Sequence, residues 1–190
     1  FRFYDGGLHP TCIVGQITPS GRLFVHRTFR GDNIGMRQLI NGYVKPFLSY
    51  KFSEITKWRD IGDPSLANRE QSNSDSSAAK VIEEEFGTRF EPGPVKWEPR
   101  REGLKNGLNL LMSGKPWVQI DADDEILHQA LRGGWHYNID SSGNVMRDEP
   151  VKDRHSHPGD AFAYGLAMLL HTTGKKTDPV SIQPMTFGGR

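Results

Sequence analysis

Apolar positions arrive early and in runs. Phe1, Phe3 and Tyr4 lead into Asp5-Gly6-Gly7, which reads as a strand whose last side chain is a carboxylate, followed by a turn. Thr11 to Ile17 is a second run, Pro19-Ser20-Gly21 a tight turn and Leu23 to Phe29 its antiparallel partner, so the chain opens as a three-strand meander. Ile34, Met36, Leu39, Ile40, Tyr43 and Val44 then recur at helical spacing, which predicts a crossover helix ending before Pro46. Ile55 to Ile61 reads as a polar strand that runs into Gly62-Asp63-Pro64. Leu66 to Ser77 is rich in Asn, Ser, Gln and charge and has no period, so a mobile loop or a segment that orders on binding is expected.

The second half alternates helix and strand. Ala78 to Phe86 is a short helix closed by Gly87, and Phe90 to Trp97 is interrupted by Pro and extended at most. Leu104, Leu108, Leu111 and Met112 repeat at helical spacing, with Arg100, Arg101 and Lys105 at or before that helix's start. Trp117 to Ile120 is a short strand, and Asp121-Ala122-Asp123-Asp124-Glu125 opens a helix running to Arg132 and stopped by Gly133-Gly134. Trp135 to Ile139 and Asn144 to Met146 form a hairpin around the turn Asp140 to Gly143. From Asp160 to Leu170 almost no polar face remains, which marks a helix packed on more than one side. Pro158 suits its first turn, His157 or Ser156 its cap, and Asp160 sits near its positive end. The tail from Gly174 is expected to be frayed or extended.

Strands first and then helices alternating with strands indicate an α/β domain with a mixed sheet flanked by helices. The 190 residues, 35% hydrophobic and 25% charged, suit one globular domain, with no internal repeat. A net charge of +1 supplies no global attraction for a polyanion, so any such grip must come from local clusters of Lys and Arg. The single Cys12 excludes an internal disulfide and a Cys-rich zinc site; it reads as a small hydrophobe in a reducing compartment. There is no membrane-spanning run and no signal-peptide pattern, and the chain starts without Met, as if cut from something longer.

In open α/β sheets, sites gather beyond strand ends. Asp5 ends the first strand, Asp63 follows the fourth and Asp160 heads the last helix. Asp-Gly and Asp-Pro pairs are also ordinary turn formers, and an acid at a helix start complements the dipole, so convergence is not forced by spacing. If the acids do converge, divalent cations must neutralise them, and an all-oxygen set suits Mg²⁺ or Mn²⁺ better than zinc. Two such ions can activate water and stabilise the leaving oxygen of a phosphodiester.

Tyr4-Asp5-Gly6-Gly7-Leu8-His9-Pro10-Thr11, Gly62-Asp63-Pro64, and Ser156-His157-Pro158-Gly159-Asp160-Ala161 with Tyr164 closely resemble the nuclease domain of the large terminase subunit of tailed bacteriophages, over almost the whole chain to about His171. The resemblance implies a ribonuclease H-like mixed sheet with an added β-hairpin, over a core of about 1–171 and a tail of 172–190. It implies a two-metal endonuclease that cuts concatemeric viral DNA during genome packaging, with low sequence specificity. Asp5, Asp63 and Asp160 match the motif acids and are the expected catalytic metal ligands. His157 lies where some members carry a histidine near the metals, a capping role being the alternative, and Lys152 matches a basic position that contacts phosphate or is solvated. Gly6 and Gly159 stand where other members add an acid, which leaves the number of tightly held ions open. The expected partners are double-stranded DNA, an ATPase domain of the same subunit, the portal and the small terminase subunit, in the host bacterial cytoplasm. No Gly-rich phosphate loop with Lys-Ser or Lys-Thr occurs, so no motor activity is expected of this chain.

Rival features are weighed on the same residues. Asp121, Asp123 and Asp124 are explained by helix capping. His155 and His157 make a thin case for zinc. Trp135, His136 and Tyr137 either stack on bases or support the sheet. Arg100, Arg101 and Lys105 either grip phosphates or form a solvated helix face. Competing functions are another ribonuclease H-like nuclease, such as a junction resolvase or transposase core, and a non-catalytic module docking on a portal or motor.

Overall fold

Thr11–Ile17 is buried over its first five residues without alternation, the mark of a central strand covered on both faces. The computed structural model describes residues 1–70 and 73–173; Gln71, Ser72 and the tail from Gly174 lie outside the described residues. The chain runs β1 (Arg2–Asp5), β2 (Thr11–Ile17) and β3 (Leu23–Arg30), then α1, built from Met36–Leu39, the π-turn Ile40–Val44 and Lys45–Lys51. It continues with β4 (Asp60–Gly62), the 3-10 turn Pro64–Ala67, β5 (Arg69–Glu70), β6 (Asn73–Ser77), α2 (Ala78–Phe86) and β7 (Phe90–Pro92). It ends with α3 (Trp97–Asn109), β8 (Leu111–Met112), β9 (Lys115–Pro116), β10 (Val118–Ile120), α4 (Glu125–Gln129, extended by the π-turn Ala130–Gly134) and α5 (Ser156–Thr173).

The main sheet has the order β10-β3-β2-β1-β4-β7. β2 is antiparallel to both β1 and β3; β4 and β7 add parallel to β1, and β10 parallel to β3. Every strand except β2 therefore points the same way, and their C-terminal ends share one edge. Tyr4, Cys12 and Val14 face a core shared with α1 and α2, whereas Phe3, Ile13 and Ile61 face a second core shared with α4 and α5. This is the ribonuclease H-like mixed sheet with helices on both faces that the resemblance implies.

A buried polar network sets the register of the β1–β4 pair. Asp60 is fully buried; it accepts from Arg2 Nε at 2.6 Å, Arg2 Nη2 at 2.8 Å and Tyr4 OH at 2.9 Å, and Thr88 closes the set. The Arg2 guanidinium also lies 3.6 Å from the Phe86 ring centroid. A charge pair this buried is tolerated because the carboxylate oxygens are fully hydrogen-bonded.

Several expectations change. The crossover helix does not stop before Pro46: the π-turn shifts the hydrogen-bond ladder, Lys45 N–H donates to Ile40 O, and Pro46 falls at the start of the next segment, where a missing N–H costs little. The strand expected over Ile55 to Ile61 shrinks to Asp60–Gly62; Ile55 is exposed, the Trp58 indole donates to Ile55 O at 3.0 Å, and Arg59 turns to Glu91 at 2.6 Å. Leu66 to Ser77 is not structureless. Buried Leu66 anchors the 3-10 turn, and β5 and β6 pair antiparallel. The hairpin around Asp140 to Gly143 exists as a single bridge, Ile139 with Val145, held by Asp140 accepting from Asn144 N–H at 2.9 Å.

The largest revision concerns α3. Its leucines do not define its buried face; Leu108 and Leu111 are exposed, and Leu111 and Met112 lie beyond the helix in β8. Trp97, Arg100, Gly103 and Gly107 are buried instead. A Cβ on Gly103 would sit 2.5 Å from Ala167 Cα of α5, so the missing side chain is what allows the two helices to touch. Gly103→Ala should therefore lower stability by about 2 kcal/mol, the range of overpacking in a close helix contact. Urea denaturation followed by circular dichroism reads this as a lower midpoint with an unchanged slope.

Candidate carboxylate site at the sheet edge

β1 delivers Asp5 to the C-terminal edge of the sheet, and α5 starts over the same point. Asp153 caps α5, its Oδ1 accepting from His155 N–H at 2.7 Å and Ser156 N–H at 3.1 Å; neither His157 nor Ser156 supplies that cap. The helix then crosses β1 at Gly165, where a Cβ would lie 2.4 Å from the Phe3 ring. With Gly165 on Phe3, the helix runs antiparallel to β1 and its N-terminal turn, carrying Asp160, stands over Asp5. Asp63 arrives just past β4 and caps the 3-10 turn, accepting from Ser65 N–H at 2.8 Å.

Asp5 and Asp160 are 6% and 3% exposed, unusual for carboxylates. Asp5 Oδ2 accepts a hydrogen bond from His157 Nδ1 at 2.6 Å. Burial drives the Asp5 pKa up to about 6; His157 opposes this, and the negative charges of Asp160 and Asp63 push it further up. Burial also raises the Tyr164 phenol, and Asp63, Asp5 and Asp160 all add to the rise while Arg100 opposes it. The three acids singled out in the sequence thus share one neighbourhood with Tyr164. Gly93 donates its N–H to Gly62 O at 2.8 Å, and a Cβ there would lie 2.6 Å from the Tyr164 ring, which packs the floor of the site.

The site's cations are unlike one another. Arg100 is 5% exposed, with its guanidinium 5.2 Å from the Trp97 ring, 4.6 Å from the Tyr164 ring and 3.4 Å from Asp160 Oδ1. It is a buried counter-charge, neither the solvated side chain nor the outward phosphate contact expected of it. Lys152 reaches Asp160 Oδ2 at 2.6 Å from a side chain that is 63% exposed. Arg101 and Lys105 are exposed on α3. Sequence reasoning misjudged Arg100 because it read the leucines; the spacing Trp97, Arg100, Gly103, Gly107 was the available signal for the buried face.

The rival readings separate. Asp124 caps α4, accepting from Leu127 N–H at 3.3 Å and from Thr28 Oγ1 at 2.7 Å, so that acidic cluster is structural. Trp135 packs under Gly159, where a Cβ would clash with it at 2.3 Å, and stands edge-on to Trp97. Trp97 in turn donates to Tyr137 OH at 3.2 Å. These aromatics brace the N-terminal turn of α5.

Among the described residues, no group of three or more His, Cys, Asp or Glu side chains is arranged ready to hold a metal ion. The oxygens are turned to His157, Lys152, Arg100 and the Ser65 amide instead. The donor set itself fits a divalent cation in chemistry. It consists of hard carboxylate oxygens, and repulsion from Asp160 and Asp63 adds to the burial-driven rise in the proton affinity of Asp5.

No family model matches the chain, and no curated protein matches it. Two solved structures share its arrangement. The large terminase nuclease domain of bacteriophage SPP1, solved with bound Mn, has a TM-score of 0.54 at 15% identity over 86% of this chain and 82% of that one. The P22 large terminase nuclease domain has a TM-score of 0.52 at 14% identity over 89% and 82%. The fold is that of the large-terminase nuclease domains. No helix among the described residues is long and apolar enough to cross a membrane.

Asp5 has a testable consequence for stability. Its folded pKa, about 6, lies above the ordinary value of 3.8, so the folded state holds the proton more tightly than the unfolded chain. The metal-free protein should therefore lose stability from this group as pH rises from about 4 through 6. The loss should reach about 3 kcal/mol by pH 8. Asp5→Asn should abolish that contribution, melting above wild type at pH 8 but close to it near pH 4. Thermal denaturation of both proteins across that range checks the difference, which isolates Asp5 from other titrating groups.

Proposed function

We propose that this chain is a metal-dependent endonuclease that hydrolyses double-stranded DNA phosphodiesters with little sequence preference, of the kind that cuts concatemeric viral DNA during packaging. The observation carrying this reading is the meeting of Asp5, Asp63 and Asp160 at one edge of a terminase-type sheet. The bound Mn of the SPP1 domain supports Mg²⁺ or Mn²⁺, two ions in this reading, as the cofactor. When bound, divalent cations supply an acidified water and neutralise charge on the phosphate.

The chain's own residues do the rest. Asp5, Asp63 and Asp160 hold the cations, and the buried Arg100 keeps Asp160 aimed through its contacts with Trp97 and Tyr164. His157 fixes the orientation of Asp5 through Nδ1 and can hold a proton at that atom. Lys152 neutralises Asp160 in the metal-free state and, being exposed, is free to swing toward a phosphate. Exposed Arg101 and Lys105 are further phosphate contacts along α3 in this reading. The ATPase domain, portal and small terminase subunit are its proposed partners beyond DNA.

Plasmid nicking with Mg²⁺ or Mn²⁺ tests the assignment. Asp63→Asn and Asp160→Asn should each reduce cutting at least about 100-fold. Retained cutting in both would overturn the site. A separate measurement concerns Lys152: because its ammonium occupies Asp160, Lys152→Met should tighten Mn²⁺ binding by up to about fivefold, the worth of an exposed ion pair. Isothermal titration calorimetry reads that change, and weaker binding by the variant would show that Lys152 supports the ion instead of competing with it.

A further inference from the structure

Beside the carboxylates, on the same sheet edge, a cleft of about 640 Å³ opens between α4 with its π-turn and the connector into α5. Glu125, His128, Gln129, Arg132, Arg154 and His155 line it. Four arginines gather here. Arg27 donates from Nη1 to Asp123 O at 2.9 Å, where its charge opposes the burial-driven rise of the Asp124 pKa, and Arg30 donates from Nη1 to Arg154 O at 3.1 Å. Arg132 and Arg154 are exposed, and none of the four forms an ion pair among the described residues. His155 Nε2 accepts from Arg154 Nε at 3.2 Å, which orients that guanidinium and leaves its terminal nitrogens to another acceptor.

Acids of this edge keep their charge as well, exposed Asp123 beside Arg27 among them, but they stand outside the lining of the cleft. Asp124 serves Thr28 and the α4 cap, Asp153 caps α5, and Asp121 Oδ1 accepts from Asp123 N–H at 3.1 Å. Among the lining residues only Glu125 brings a negative charge. The cleft is also close to the candidate site: His155 lines it, and His157, two residues on, touches Asp5. Two residues span at most about 7 Å of chain, about two nucleotide steps along one strand of a DNA duplex.

We propose that this cleft is a second phosphodiester subsite, holding the DNA strand that flanks the scissile bond, with Arg132 and Arg154 as its anion contacts. The assignment rests on the nuclease reading and specifies the path of its substrate, extending the duplex from the carboxylates toward β3 and β10 as well as along α3. Glu125 at the wall tempers the grip, as suits an enzyme that must release its product.

Fluorescence anisotropy of a labelled duplex, measured without divalent metal at several salt concentrations, tests it. The double variant Arg132→Gln, Arg154→Gln should weaken binding about 3- to 10-fold at roughly 0.1 M salt. It should also flatten the salt dependence by about one to two phosphate equivalents. Glu125→Gln should tighten binding, whereas Arg22→Gln, at the opposite end of β3, should leave affinity and slope unchanged. Melting curves confirm that each variant is folded. If wild type nicks plasmid but the double variant binds with the wild-type affinity and slope, the subsite is wrong and the nuclease reading stands. If binding depends on the two arginines but wild type never nicks, the subsite stands as a DNA contact and the nuclease reading falls. Wild type that neither binds nor nicks ends both.

Discussion

The contact on which the rest depends is the close approach of α5 to β1. Gly165 lies on the Phe3 ring with no room for a Cβ, and Phe3 and Phe162 are both fully buried in the core that results. Moving along β1 from Phe3 to Asp5, and back along α5 from Gly165 to Asp160, leads to the same point. One packing contact therefore sets the separation of two buried carboxylates. Gly103 of α3 against Ala167, and Gly159 against Trp135, repeat the device on the helix's other sides, so α5 is clamped all round by approaches that only glycine permits.

Holding acids together in a dry place is unfavourable, and the molecule offsets that in two distinct ways. Arg100 is a permanent counter-charge, buried and sandwiched by aromatic rings, and its removal would leave Asp160 uncompensated in the interior. Lys152 is a temporary one, reaching in from solvent on an irregular connector. Asp5 has only His157 and retains a raised proton affinity that burial produces and repulsion from Asp160 and Asp63 increases. The same site is thus a local cost to the fold and a ready attraction for added positive charge. That combination is common where stability is given up for chemistry.

The sheet topology explains why the charges collect where they do. With β10 and β4 both parallel to their inner neighbours, the C-terminal ends of every strand but β2 reach one edge. Asp5 and Asp63 lie at or just past β1 and β4, Arg30 ends β3, and the Asp121 to Glu125 stretch follows β10. The opposite face of the sheet has a different role. There the Arg2–Asp60 network and the packing of Tyr4, Cys12 and Val14 on α1 and α2 hold the β1–β4 register that keeps Asp5 and Asp63 level.

The opening meander, the places of the main helices and the positions of Asp5, Asp63 and Asp160 along the chain were legible in the sequence, since strand ends, Asp-Gly and Asp-Pro turns and Pro158 are local signals. Cys12 as core and Gly87 as a helix stop follow from equally local rules, the latter seen in its φ of 66°. What only the tertiary structure decided concerns partners. Arg100 became a buried counter-charge, and not a phosphate contact, because glycines at 103 and 107 turned that face of α3 toward α5. Pro46 was absorbed by a π-turn, and the polar stretch after Asp63 paired into two short strands. Asp60 proved to be the partner of Arg2, a pairing across 58 residues. Local chemistry is written in neighbouring residues, whereas which charge neutralises which depends on distances that exist only after distant segments have packed.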